Sequence, residues 1–230
     1  MIGRIVVVDD VPTSFAELLA SRFAARTRAH FSLAFSGGST ARSCYERVAE
    51  LAEGTIDWSV VDAYWGDERC VPLEDPDSNH RLVHDALLDR VAAVASDHPM
   101  WTGAVEPARA ADDYDALLSS APPIDLVHLG LGPDAHTASL FPGSAALDSP
   151  PGRLVVANVD PLGTNPHPRV TLTFEGIARA RMVVVTVQGA AKREAFARVR
   201  ADDPAAPAAH LGGESVIWLV DRDALGDDTP

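Results

Sequence analysis

The stretch FSLAFSGGST, residues 31–40, reads as a strand that runs into a glycine loop and then into a helix. Phe31, Leu33 and Phe35 supply the apolar bulk of the strand, and Ser36-Gly37-Gly38-Ser39-Thr40 follows directly. Glycines there let the backbone turn so that several N–H groups aim at one point. A helix starting at Thr40 adds the partial positive charge of its N-terminus. Ser39 and Thr40 bring hydroxyl donors. The loop is not a Walker A loop, because no Gly-Lys-Ser/Thr follows, and not a nucleophile elbow, because Gly-x-Ser-x-Gly is absent. What remains is either an anion site or a tight turn with an ordinary cap.

The same alternation continues on both sides. Strands are predicted over 4–8, 60–65, 125–129, 154–158, 170–173, 182–187 and 215–220. Helices are predicted over 12–25, 40–52, 108–118 and 190–199, with one more capped by Ser78. Alternating strands and helices imply an α/β fold with a mainly parallel sheet covered on both faces. The Pro/Gly-rich breaks at 122–123, 150–152, 161–168 and 202–207 divide no two self-sufficient sets of elements, so residues 1–230 are read as one domain.

Composition narrows the function. The net charge is −14, with no basic stripe, which excludes ordinary nucleic-acid binding. No apolar run approaches the roughly 18 residues of a membrane span, and the N-terminus lacks a signal-peptide pattern, so a cytoplasmic protein is expected. Cys44 and Cys70 have no metal-ligand spacing. Lys192 is the only lysine among 19 basic residues. In so acidic a chain, an anionic ligand needs cations gathered at one place.

Three further groups sit just after strands, where parallel sheets bind ligands. Trp65-Gly66-Asp67-Glu68-Arg69 offers an acid and a cation that either orient a substrate or form a solvated loop. In the segment from Leu129 to Ser139, Gly130-x-Gly132-x-x-Ala135 imitates a dinucleotide fingerprint, but Pro142-Gly143 stops the segment before a long helix can form. It leaves a glycine loop carrying Asp134 and His136. A neutral imidazole there is a candidate general base, with the carboxylate fixing its tautomer; a surface histidine fits as well. Arg169 and Lys192, on or after later strands, can reach the same edge. His80 and His84 stand at i, i+4, a possible metal spacing, but with no third ligand in view they read as exposed.

Taken together, SGGST at 36–40, GDERCVP at 66–72, DSN at 77–79, LGLGPDAHTASLFPG at 129–143 and RVTLT at 169–173 resemble the 6-phosphogluconolactonase family. The resemblance covers most of the chain. It implies a Rossmann-like three-layer α/β sandwich similar to glucosamine-6-phosphate deaminase. It implies hydrolysis of a phosphorylated sugar lactone, 6-phospho-D-glucono-1,5-lactone, in the oxidative pentose phosphate pathway. His136 would be the base. Gly37, Gly38, Ser39, Thr40, Arg169 and Lys192 would hold the phosphate, and Asp67 and Arg69 would line the lactone end. No metal or organic cofactor is expected, and no partner beyond the small-molecule substrate, with the chain a monomer or weak homodimer. Ala135 stands where the family has glycine, at a cost on the order of 1 kcal/mol if that backbone needs a positive φ.

Two rivals remain. An isomerase or deaminase of the same fold needs further carboxylates, and none occurs in Thr137-Ala138-Ser139-Leu140-Phe141. A sugar-phosphate sensor without turnover usually carries a DNA-binding or partner module, and none is visible.

Overall fold

The structure, a computed structural model, describes residues 3–51 and 54–226. In chain order its strands and α-helices are β1 (Arg4–Val8), α1 (Val11–Ala24), β2 (Phe31–Phe35), α2 (Ser39–Leu51), β3 (Val61–Trp65), β4 (Asp67–Arg69), α3 (Asn79–Ala86) and β5 (Ser96–Asp97). These are followed by α4 (Pro107–Ser120), β6 (Leu126–Gly130), β7 (Val155–Asn158), β8 (Arg169–Leu172), α5 (Phe174–Ala178), β9 (Val183–Val187), α6 (Arg193–Arg200), β10 (Val216–Asp221) and α7 (Arg222–Leu225). Seven strands form one sheet in the order β1-β10-β9-β6-β2-β3-β5, every pair parallel.

Every residue of β2 and of β9 is buried, so neither strand shows the polar alternation of a half-exposed sheet. The edge strand β1 keeps exposed positions. In α1, Phe15, Leu19 and Phe23 recur every four residues and are all buried, and Pro12 occupies the first turn, where its missing N–H costs nothing. That stripe packs α1 against α2, β9 and β10. Burying a Phe or Leu side chain of this kind stabilises by about 1.5–3 kcal/mol, and Leu19→Ala would cost about 2–5 kcal/mol. Ser78 caps α3 as expected, its Oγ accepting from the Arg81 N–H at 3.1 Å. The helix expected to reach Ala52 is described to Leu51; Ala52 lies outside the described residues.

The expected mainly parallel sheet is present, and a second sheet that the sequence did not reveal stands beside it. β4, β8 and β7 form a second sheet of three antiparallel strands. Asp67–Arg69, read from sequence as a loop, is its first strand. Three consecutive polar residues carry no apolar period, and the partner strand lies far along the chain. Gly66 is the pivot: its N–H donates to Phe35 O (2.8 Å) in the large sheet, and its carbonyl accepts from Leu172 N (2.9 Å) at the small one. The expected helix over 190–199 also starts differently. Ala190–Lys192 is a 3₁₀ turn after Gly189, whose φ is +89°, and α6 follows it. The adjacent strands β9, β6, β2 and β3 end on the same edge, the site of the glycine loops. Among the described residues no helix is long and apolar enough to cross a membrane.

Candidate active site

The loop after β6 is closed by hydrogen bonds within itself and back to the end of the strand. Gly132 N donates to His136 O at 2.8 Å, Ala135 N to Gly132 O at 3.1 Å, and Thr137 Oγ1 to Gly130 O at 2.9 Å. Closing these turns puts two non-glycine residues in the left-handed region, Ala135 at φ +68° and Ala138 at φ +47°. Ala135 is fully buried, and its carbonyl accepts from Ala208 N at 3.0 Å. The loop therefore keeps the positive φ despite the methyl group. Strained residues of this kind cluster where surrounding structure fixes a functional side chain.

The side chain this loop holds in place is His136. A Cβ added to Gly132 would lie 2.2 Å from the imidazole Cε1 and Nδ1, so the ring rests on the bare Cα of the glycine. Phe141 meets it edge-on, with centroids 5.0 Å apart. Asp134 Oδ1 accepts from the His136 backbone N–H (3.1 Å) and pairs with Nδ1 (2.5 Å). Burial pushes the Asp134 carboxyl up, but the bonds from His136 outweigh it and leave it below the usual carboxylate range. An ionised Asp134 holds the proton on Nδ1 and leaves Nε2 free to accept another.

His136 forms part of the wall of a cavity of about 230 Å³. Gly37, Gly38, Asp67, Arg69, Arg169 and Lys192 line it as well, so the structure brings together seven of the ten residues singled out from sequence. Asp134 stands behind His136 rather than in the wall. Ser39, exposed at the start of α2, and Thr40 are not lining residues either. The glycine loop meets the cavity through Ser36, Gly37 and Gly38, the last with φ +94° and open space at its Cα.

The cations are set against each other. Arg69 and Arg169 are directly opposed in the antiparallel β4–β8 ladder. Like charges in that position destabilise a sheet. Arg69 is partly occupied, Nη1 donating to Asp77 O at 2.6 Å. Arg169 is only 4% exposed, and its Nε and Nη1 are buried with no hydrogen-bond partner among the described residues. Burial pulls its pKa down, with Asp67 opposing and Arg69 adding to the effect. Burial likewise lowers Lys192, against the pull of Asp134. Buried donors left unmade cost about 1–3 kcal/mol each, and an anion in the cavity would remove that cost.

Several residues that hold this arrangement were not singled out from sequence. Asp67 is buried and accepts from Ser139 Oγ at 2.6 Å, so Ser139, which has no recognisable base in sequence, has a direct carboxylate partner. Ser139 is also tied through its N–H to Thr171 Oγ1 and through its carbonyl to Asn158 Nδ2. Glu68 points the other way: its carboxylate accepts from the backbone N–H groups of Arg69, Asn79 and His80 and from Ser78 Oγ, fixing the start of α3. Asn79 then lines the cavity, with its Oδ1 buried and unpartnered among the described residues. Behind the glycine loop, Tyr45 Oη accepts from Ser36 N (2.8 Å) and donates to His128 Nδ1 (2.8 Å), while His128 Nε2 donates to Thr186 Oγ1 (2.9 Å). Complete burial takes His128 down to about 3, so it is a neutral strut. The signal for Glu68 and Asn79 was present in GDER and DSN, but not their pairing.

His80 and His84 are not exposed as read from sequence. Their rings lie 4.3 Å apart, and His80 packs at 4.8 Å on Trp65. Both Nε2 atoms meet Asp97 Oδ2, at 3.1 and 3.0 Å. Asp97, at the end of the two-residue strand β5, has no sequence link to the helix.

Known proteins resemble this chain in both sequence and fold. Residues 7–218 match the family model described as glucosamine-6-phosphate isomerases/6-phosphogluconolactonase. The chain is 38% identical over 210 residues to the 6-phosphogluconolactonase of Synechocystis sp., covering 86% of this chain and 84% of that one. It superposes on the 6-phosphogluconolactonase of Trypanosoma brucei with a TM-score of 0.86 at 28% identity, covering 99% of both chains. A monomeric glucosamine-6-phosphate deaminase shares the fold, with a TM-score of 0.83 at 18% identity over 96% of this chain and 98% of that one. The α/β fold with its seven-stranded parallel sheet and the sequence together place this chain in the glucosamine-6-phosphate isomerase/6-phosphogluconolactonase family.

Proposed function

We propose that this chain is a 6-phosphogluconolactonase, a hydrolase that opens 6-phospho-D-glucono-1,5-lactone to 6-phosphogluconate in the pentose phosphate pathway. The observation that carries the reading is one cavity walled by both a carboxylate-held imidazole, His136, and a buried guanidinium with unmade hydrogen bonds, Arg169. The Synechocystis and Trypanosoma relatives bear the name of that activity.

In this reading Arg169, Lys192 and the backbone of Gly37 and Gly38 hold the phosphate, with the first turn of α2, at Ser39 and Thr40, adding its N–H groups. His136 Nε2 takes a proton from water, which attacks the lactone carbonyl. Asp134 keeps the imidazole in the tautomer that permits this and steadies the imidazolium that results. Arg69 is the candidate for the developing oxyanion, and Asp67, anchored on Ser139, orients the lactone end. The C–O bond to the ring oxygen then breaks, and His136 returns the proton there. A positioned base supplies roughly 10²–10⁴-fold and oxyanion stabilisation a comparable factor, enough for an activated ester. No covalent nucleophile is needed: Ser139 lends its proton to Asp67 and is held on three sides.

The direct test is turnover of freshly generated lactone, corrected for spontaneous hydrolysis, beside an ammonia assay on glucosamine 6-phosphate. Lactonase activity without ammonia release is expected. Ammonia release would move the chain to the deaminase branch. Thermal stabilisation by 6-phosphogluconate with neither activity would make it a sensor. We place the protein in the cytoplasm as one catalytic domain, monomer or weak homodimer, which sedimentation across concentrations would check.

A further inference from the structure

The histidine cluster of α3 lies outside the chemistry just described, and it carries a function of its own. We propose that His80, His84 and Asp97 form a binding site for one divalent transition-metal ion, zinc by ligand type, that clips α3 to strand β5.

Three features support the site. First, the ligand atoms converge. One nitrogen from each imidazole and one oxygen of Asp97 all lie within 4.8 Å of one another, with Nε2 to Oδ2 separations of 3.1 and 3.0 Å. A tetrahedral zinc with bonds of about 2.0–2.1 Å sets its ligand atoms roughly 3.3 Å apart, so small side-chain shifts admit the ion. Secondly, the donor set is two imidazoles and a carboxylate, which suits zinc and its neighbours rather than magnesium or calcium.

Thirdly, an outer carboxylate is already in place. His84 Nδ1 meets Asp89 Oδ1 at 2.9 Å, the carboxylate–histidine arrangement that fixes a tautomer and turns the Nε2 lone pair toward a metal. Both ring nitrogens of His84 thus face carboxylates, Asp89 at Nδ1 and Asp97 at Nε2, while the ring lies 4.3 Å from that of His80. With an ion, Nε2 of both rings becomes a ligand and Asp89 keeps the remaining proton of His84. The side chains of His80, His84 and Asp97 are 15%, 28% and 31% exposed, so an ion can enter and retain water in the fourth position. Trp65 closes the inner side against His80.

The consequence is mechanical. β5 is a two-residue edge strand, in register with β3 at Asp62–Ser96 and Ala63–Asp97. α3 begins with Asn79, a residue of the cavity wall. An ion bridging the two would tie the sheet edge to the helix that presents Asn79.

The test uses the untagged full chain after chelator dialysis, titrated with Co²⁺ and followed by its visible d–d absorption. One equivalent should bind with the intense bands of a four-coordinate site, and Zn²⁺ should displace it. His84→Gln and Asp97→Asn should abolish the bands, and Asp89→Asn should weaken binding about tenfold. His136→Gln should leave the bands intact, which separates this site from the imidazole of the active site. Zinc at a hundredfold excess over its Kd should raise Tm by roughly 5–10 °C in the parent chain and in His136→Gln but not in Asp97→Asn. Circular dichroism on each variant excludes loss of fold as the cause. The proposal is overturned if no saturable binding occurs up to millimolar cobalt. It is overturned equally if Asp97→Asn and His84→Gln bind as the parent does, or if His136→Gln alone abolishes binding.

Discussion

The two walls of the cavity come from different sheets and are built on opposite principles. On the parallel side, the loop after β6 spends backbone strain, at Ala135 and Ala138, to hold a single imidazole against Gly132 and Asp134. On the antiparallel side, β4 and β8 use regular ladder geometry to set Arg69 opposite Arg169, a repulsive pair that Asp67 offsets in part and an anion would relieve further. The first wall holds one imidazole by packing and hydrogen bonds. The second stores charge. The difference teaches that variants of the two walls should separate kinetically, the loop acting on kcat and the small sheet on KM.

The largest expected effect is His136→Ala, which should lower kcat by roughly 10²–10⁴-fold with KM little changed. Steady-state kinetics on fresh lactone decides it, and near-normal turnover would remove the base from the mechanism. Gly132→Ala sharpens the point, because it leaves every polar group in place. The added methyl would sit 2.2 Å from the imidazole, and the ring cannot give way without leaving Asp134 or Phe141. A displacement near 1 Å costs about 10²-fold, so kcat should fall by that order while substrate binding persists. An unchanged kcat would show that the ring is not held as tightly as its contacts require.

Arg169→Met tests the other wall and should move two observables in opposite directions. Losing charge-assisted bonds to phosphate, worth about 1.5–3 kcal/mol each, should raise KM by roughly 10–100-fold. The same change removes a buried cation with two unpartnered nitrogens and puts a shorter apolar chain in its place. Stability measured by urea unfolding should therefore hold or rise. A fall in both affinity and stability would mean that Asp67 already pays for the guanidinium in the free protein, and the contrast between the walls would weaken.

How legible all this was in the sequence follows the same division. The parallel sheet announced itself through long apolar runs such as VVVTV in β9, whose burial on both faces leaves no ambiguity. The His136 loop was legible because its residues are contiguous, and even the strain at Ala135 could be anticipated from a family position usually filled by glycine. The small sheet was hidden. Asp67, Glu68 and Arg69 look like a solvated turn until Arg169 pairs with them, and no local pattern encodes a partner so distant. The same blindness affected His80 and His84, whose third neighbour Asp97 arrives from a separate strand, and it left unnoticed His128 in β6, whose partners Tyr45 and Thr186 come from other elements. Periodicity reports which face is buried; it is silent on which polar groups meet across the sheet.

The smallest effect expected concerns the strain itself. Ala135→Gly removes a left-handed alanine, a relief of about 1–2 kcal/mol. Against this stand two losses. The glycine gains freedom in the unfolded chain, at about 0.4–1 kcal/mol, and a fully buried methyl disappears, at about 0.8 kcal/mol. The terms nearly cancel, so stability by urea unfolding should shift by less than about 1 kcal/mol in either direction. Because the hydrogen bonds from Ala135 N to Gly132 and from Ala208 N to the Ala135 carbonyl involve only backbone, they survive the change, and kcat should stay within about twofold. A gain in kcat of tenfold would mean instead that the methyl holds the loop off its best geometry, and that the hold of the parallel wall on its imidazole is incomplete in this chain.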